Sequence, residues 1–469
     1  MRAAFPLLVS VSLSMSLLMG CSWTAYNDYK TNTALFAFSN RAFGARVAIS
    51  TDNDGKAILG LGGLPPEGAR FYALNDGSSE PSGAPLSNGA HCEIIADKIT
   101  SGEACLAATT LSPAGVLQEL EENGTFRQIH VGCFALGYGR RSDASFVTPG
   151  PIVYCTDGGL YTMKPAGDSK LAKAFAERNE AEIRGQHVAM ATLPHDGKST
   201  NPALLVASDI DERAWIYPTI RSQTAPIEIT DALDTAGDKY GSAVAMARAA
   251  GGPLFLVSAP GIGKVVAWTL DSTIPGSPVG KRVACMQGEK TMGETLVAAD
   301  IDGDGLDDVF VNENGAVKVF LGKDRPPAPA MSSDPCPAWN PSSIVLKCEE
   351  TRGASGCAAS GFGSAIAVGD FDKDGKQEVA VGAPFALTEG VASGAVFIFT
   401  PSVGAPNPVL DVRYLASPQE NAAFGAAVAS GRVGKQDTLV AGARGKSISY
   451  VVWCMQLPGS PAGGDRCRR

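Results

Sequence analysis

"AADIDGDGLDDVFVNENGAVKVFLG", residues 298–322, crowds five carboxylates into nine residues and then turns apolar. Like charges this close repel one another unless a cation sits among them. Counted from Asp300, the acids fall at positions 1, 3, 5, 8 and 9: Asp300, Asp302, Asp304, Asp307 and Asp308. The same frame returns in "DFDKDGKQE", residues 370–378, with Asp370, Asp372, Asp374 and Glu378. Oxygen ligands at alternating positions, with Gly305 or Gly375 making a sharp turn at position 6, suit Ca²⁺. The position-7 backbone carbonyls of Leu306 and Lys376 are expected to add a ligand each, whereas Asp307 reads as solvated. Position 2 is apolar in both loops (Ile301, Phe371) and is expected to point into a sheet. An EF-hand needs Glu at position 12; Val311 and Val381 stand there, and a strand-like run follows instead of a helix. The expected setting is therefore a hairpin loop whose ion is structural. A third copy, "STDNDGKAI" at 50–58, keeps Asp52 and Asp54 but has Ser50 and Ile58 at its outer positions, so it is expected to bind weakly.

Both loops sit inside a longer recurring unit. Segments starting at 43, 240, 292, 362 and 424, and more loosely at 185, share an order of parts. An aromatic-Gly start opens the unit, then come a small-residue strand, a polar loop, an apolar strand, a Gly turn and a third strand. Stretches such as "RVACM" (282–286), "SIVLKC" (343–348) and "VLDVRYL" (409–415) supply a fourth strand. Four-stranded sheets of this length cannot bury both faces alone, but they can when packed face to face around an axis. The fold class expected is all-β, a β-propeller of seven or eight four-stranded blades, seven being the count chosen. The unit from 424 lacks a fourth strand, and "TALFAF" (33–38) is unassigned, so this N-terminal strand is expected to close the last blade. The segment 169–185 allows a short surface helix, and 324–342 reads as a Pro-rich loop between blades.

Phe-Gly, the acidic loop and Gly-Ala-Pro in "FGSAIAVGDFDKDGKQEVAVGAP" (362–384) together resemble the FG-GAP repeat of integrin α-subunit propellers and related bacterial proteins. The resemblance is strong over about 238–455, plausible over 33–75 and weak over 76–184. It implies a propeller with structural Ca²⁺ at the blade edges; in integrins the upper face binds partner proteins.

The N-terminus reads as a processing signal. Arg2 precedes an apolar run from Ala3 to Met19 that is too short to favour a transmembrane helix. It ends in Leu18-Met19-Gly20-Cys21, which resembles a bacterial lipobox with Cys21 as the acylated residue. Ser22 rather than Asp follows, which by analogy favours the outer membrane, on its periplasmic face or at the cell surface. The organisation expected is a signal peptide at 1–20, a lipidated tether at 21–32, the propeller at 33–457 and a tail at 458–469. Ten cysteines remain after Cys21, an even number that reads as disulfides in an exported protein. Pairing sequence neighbours gives Cys92–Cys105, Cys133–Cys155, Cys285–Cys336, Cys348–Cys357 and Cys454–Cys467, although spacing alone leaves the connectivity open.

A net charge of −9 without any Lys/Arg cluster argues against a nucleic-acid partner. The four histidines (91, 130, 187, 195) form no metal-ligating motif, and neither a nucleophile elbow nor a phosphate loop occurs. No catalytic residue is assigned. The function expected is a membrane-anchored, calcium-binding interaction or adhesion module with a protein or carbohydrate ligand at a propeller face. The alternatives are a hydrolase or carbohydrate-active protein with a site at the channel mouth, and a purely structural envelope lipoprotein.

Overall fold

The computed structural model describes the strands named below between residues 30 and 229 and, with short breaks, residues 237–456. Cys21, the leader, the acidic residues Asp52 and Asp54, Cys92, Cys105, Cys467 and the tail lie outside the described residues. Every sheet is antiparallel. The first strand is β1 (Lys30–Ala37).

Four sheets carry the site. Sheet A comprises β2 (Val244–Ala249), β3 (Gly252–Ala259), β4 (Lys264–Asp271) and β5 (Val279–Gln287). Sheet B comprises β6 (Leu296–Ala299), β7 (Asp308–Glu313), β8 (Ala316–Phe320) and β9 (Val345–Lys347). Sheet C comprises β10 (Ile366–Gly369), β11 (Glu378–Ala383), β12 (Ala395–Pro401) and β13 (Val409–Ala416). Sheet D comprises β14 (Phe424–Val433), β15 (Gln436–Ala443) and β16 (Ile448–Gln456), with β1 as its fourth strand. The N-terminal strand thus pairs with the last strand of the chain, from Lys30 opposite Gln456 to Ala37 opposite Ile448. It begins at Lys30, inside the segment expected to be tether.

Upstream, Arg46–Thr51, Ala57–Gly62 and Ala69–Leu74 form a three-stranded sheet, and a second such sheet runs through Leu106–Leu111, Gly115–Leu120 and Phe126–Val131. Two four-stranded sheets follow, starting at Cys133–Leu136 and His187–Thr192. Ala172–Lys173, in the stretch where a surface helix is allowed, is instead the outer strand of the first of these.

Sequence chemistry accounts for the repeat. The opening residues Tyr240, Met292, Phe362 and Phe424 are all buried, and the Phe362 ring packs edge-on against Phe397 and Phe399. The following glycine is required for two reasons in sheet D. Gly425 has φ +84°, and a methyl on it would collide with the Ala395 carbonyl. First strands are Ala-rich because they lie against one another: Thr295 Oγ1 donates to the Ser364 carbonyl and Ser430 Oγ to the Val368 carbonyl. The cores lie between sheets, as where Ile301, Phe310 and Leu346 of B meet Phe362, Val381 and Phe397 of C. Trp268 is buried in such packing, and Trp215 is buried as well.

The Pro-rich stretch is not a plain connector. Cys336 is disulfide-bonded to Cys285 on β5, and the Trp339 N–H donates to the Cys285 carbonyl. The Trp339 side chain is buried edge-on against Phe320, its indole N–H donating to the Leu321 carbonyl (3.1 Å). The disulfide Cys348–Cys357 is present as well. Cys133 and Cys155 face each other in register on neighbouring strands, and Cys454 lies on β16.

Candidate metal centre

Each acidic loop joins the first two strands of its sheet, β6 to β7 in B and β10 to β11 in C. Gly305 and Gly375 have φ +88° and +92°, the left-handed conformation the position-6 turn needs. That turn folds three carboxylates onto one focus. Ligand oxygens of Asp300, Asp302 and Asp304 lie within 4.8 Å of one another, and so do those of Asp370, Asp372 and Asp374. Short backbone bonds hold them there. Asp300 accepts from the N–H groups of Gly303 (2.7 Å) and Gly305 (3.0 Å), and Asp370 accepts from Gly375 (3.1 Å). The Asp304 and Asp374 carboxylates accept from the Leu306 and Lys376 N–H groups, so the position-7 residues are turned by the loop itself.

Position 9 is held by backbone bonds as well. Asp308 accepts from the Ile301 N–H (2.9 Å) through Oδ2 and the Gly322 N–H (2.8 Å) through Oδ1. Glu378 accepts from the Phe371 N–H (2.8 Å), the same bond in the second loop. Both acids are fully buried beneath the triads and stand outside the three-oxygen clusters. Ile301 and Phe371 point into the core, as position 2 is expected to.

Position 8 corrects the sequence reading. Asp307 is buried, not solvated: it accepts from the Arg248 N–H (2.8 Å) and from Arg248 Nη2 (2.9 Å), residues of sheet A. Asp437, at the same position of sheet D's second strand, accepts from the Asp370 N–H (3.0 Å) of sheet C. Position 8 therefore clasps the preceding sheet. No local pattern signals the clasp, because the Arg248 partner lies 59 residues away in another sheet.

Electrostatics mark the loops as built for something positive. Burial pushes the Glu378 carboxyl up to about 9, with Asp372, Asp370 and Asp374 adding to the effect. Burial, together with Asp437, raises Asp370 to about 6; burial also raises Asp308 to about 7 against the opposing bonds from Gly322 and Ile301. Among the described residues, Asp370 Oδ1 and Glu378 Oε1 are buried without a hydrogen-bond partner. Orphaned buried carboxylate oxygens are costly, and an all-oxygen donor set fits a hard divalent cation. A cleft of about 480 Å³ opens between the two loops, lined by Arg248, Asp300, Asp302, Lys376 and Ser402 among others.

The loop, the buried Phe362 and Gly382 fall in one continuous segment. Residues 362–399 match the FG-GAP repeat. The chain is 33% identical over 159 residues to integrin alpha-5 of Xenopus laevis, covering 30% of this chain and 13% of that protein. It is 33% identical over 118 residues to integrin alpha-PS5 of Drosophila melanogaster, covering 23% of this chain and 9% of that one. The matched stretch is thus a small part of either relative. A chain of the crystal structure of BBS1N in complex with ARL6DN, soaked with lead, superposes with TM-score 0.49 at 11% identity. That superposition covers 93% of this chain and 98% of the other. The FG-GAP match lies on sheet C and includes the second acidic loop whole.

Proposed function

We propose that the protein is an exported, lipid-anchored FG-GAP propeller of seven blades, braced by structural Ca²⁺, that offers a loop face to a protein or carbohydrate ligand. The observation that carries the reading is the pair of carboxylate triads at equivalent positions of sheets B and C, with the unpartnered oxygen of buried Glu378 beneath the second. Ca²⁺ would be held by Asp300, Asp302 and Asp304 in one loop and by Asp370, Asp372 and Asp374 in the other. It would supply the counter-charge that lets each hairpin stay tightly turned.

The blade count draws support from the order in which first strands adjoin. Arg46–Thr51 lies by β14, β14 by β10, β10 by β6, β6 by β2, β2 by His187–Thr192, that strand by Cys133–Leu136, and the last by Arg46–Thr51 again. The three-stranded sheet at 106–131 adjoins Ala69–Leu74 and Ile152–Thr156, neither of them a first strand, so it counts as an insertion between the first and second blades. The interaction role follows from similarity to integrin α-subunits over the matched stretch. Anchoring at Cys21 in the cell envelope follows from the lipobox-like leader.

A thermal melt of the full chain in detergent tests the ion. Ligand at a hundredfold excess over Kd stabilises the folded state by about 2.7 kcal/mol per site, so Ca²⁺ should raise Tm and EGTA should reverse the rise. A melt indifferent to both would overturn the reading. Cys21→Ser should move the protein from membrane to soluble fractions; continued attachment would remove the anchor from the account.

A further inference from the structure

Strand direction in sheet D fixes which end of the molecule lies near Cys21. β1 and β16 run antiparallel, with Lys30 opposite Gln456 at one end of the sheet and Ala37 opposite Ile448 at the other. Ile448 also stands beside Ala443, and Ala443 beside Phe424, so Ala37 lies at the end where the aromatic-Gly opening stands. Lys30 is therefore at the far end, together with the β14–β15 hairpin in which Val433 pairs with Gln436.

That far end is also the end of the acidic loops. Asp437, next to Gln436 of this hairpin, accepts from the Asp370 N–H of the 370–378 loop, and the 370–378 and 300–308 loops line one cleft. The opposite end is where Gly394 of sheet C bridges to Phe424 of sheet D. Phe385 and Val391, 55% and 39% exposed, lie there, in the link that leaves β11 at Ala383 and enters β12 at Ala395.

The length of the connecting chain leaves little choice of face. Eight residues separate Cys21 from Lys30, a reach of about 30 Å at full extension. The strands of sheet D hold eight to ten residues, so the sheet itself is about 27–34 Å from end to end. Acyl chains on Cys21 would hold that residue at the lipid surface. From there the connecting chain is exhausted before it can bring the aromatic-Gly end to the lipid.

We propose that the anchor seats the molecule with its acidic-loop end against the bilayer and the aromatic-Gly end, with Phe385 and Val391, facing away from it. This rests on the lipid-anchor reading above and adds an orientation to it.

Energy transfer to the membrane tests the orientation. Asp324→Cys and Lys446→Cys each accept a thiol-reactive donor dye at an exposed position, one at either end. Asp324 is in the 3₁₀ turn after β8, beside the Lys323 that bonds Asp302, and Lys446 is in the turn between β15 and β16. The lipidated full chain is reconstituted into phosphatidylcholine vesicles that carry an acceptor dye on the headgroup; wild type taken through the same labelling sets the background. The Asp324→Cys donor should be quenched several times more strongly than the Lys446→Cys donor. Equal quenching, or stronger quenching of the Lys446→Cys donor, would overturn the orientation and leave the anchor in place. A lipidated chain that does not join the vesicles would overturn the anchor, and the orientation with it.

Discussion

Glu378 is the residue at which the cation reading is most exposed to test. It is buried, its Oε2 caps the Phe371 N–H, and burial beside three aspartates lifts its carboxyl to about 9 from an ordinary value of 4.5. Asp308 and Asp370 are raised in the same direction, to about 7 and about 6. A carboxyl whose folded value is raised holds its proton more tightly folded than unfolded. Its contribution to stability is thus greatest below the unfolded value near 4 and is lost as pH climbs toward the folded value. The metal-free protein should therefore lose Tm between about pH 5 and pH 9, and the gain in Tm from Ca²⁺ should grow over that window as the ion displaces protons. Calorimetry in buffers of different ionisation heat should register the released protons at pH 7. A metal-free Tm that rises through that range would contradict the assignment. Glu378→Gln imitates the protonated acid, so it should leave the EGTA-treated Tm unchanged or higher and shrink the Ca²⁺ response.

Between sheets, stability depends on position 8 as much as on the acidic triads. Asp307 fastens the 300–308 loop to the backbone and guanidinium of Arg248 in sheet A, and the Asp307 N–H donates in return to the Arg248 carbonyl (2.9 Å). Asp307→Ala would leave buried donors unpaired and a half-buried guanidinium without its partner, at a cost of about 2–4 kcal/mol. Asp302→Ala, which keeps the clasp, should cost less in EGTA; chemical denaturation of the two variants compares them directly. Trp339 is a second such element. Removing a fully buried indole should cost about 3–5 kcal/mol, although it lies in a stretch that composition marks as a loop. Both features show where sequence reading stops. The frame of alternating acids with Gly at position 6 is a local pattern, so the hairpin setting and the convergence of Asp300, Asp302 and Asp304 were legible. The partners of Asp307 and Trp339 lie 59 and 18 residues away, and no local period reports a contact made across sheets.

At the scale of the whole molecule, the leftover parts of the repeat were the informative ones. The unit from 424 is one strand short and a strand-like run stands alone near 33–38, and the structure pairs them as β16 and β1. That pairing was readable because an open edge is unfavourable wherever it occurs. Strand order across 76–184 was not, since its short, uneven strands lack the aromatic-Gly opening that sets the period elsewhere. The pairing of β1 with β16 also carries a consequence for the proposed ring. Deleting 30–37 would leave β16 with a full row of unpaired N–H and C=O groups and would free the two ends of the chain from each other. In a ring whose blades support one another, loss of that one strand should lower the melting of all sheets together, and the bare edge should drive self-association. Melting followed by hydrogen exchange, alongside size-exclusion chromatography, separates the outcomes. Protection lost around the circuit, with dimers or larger species, is the result expected of a closed ring. Loss confined to sheet D, with sheets A to C as protected as before, would mean that the sheets stand in an open row.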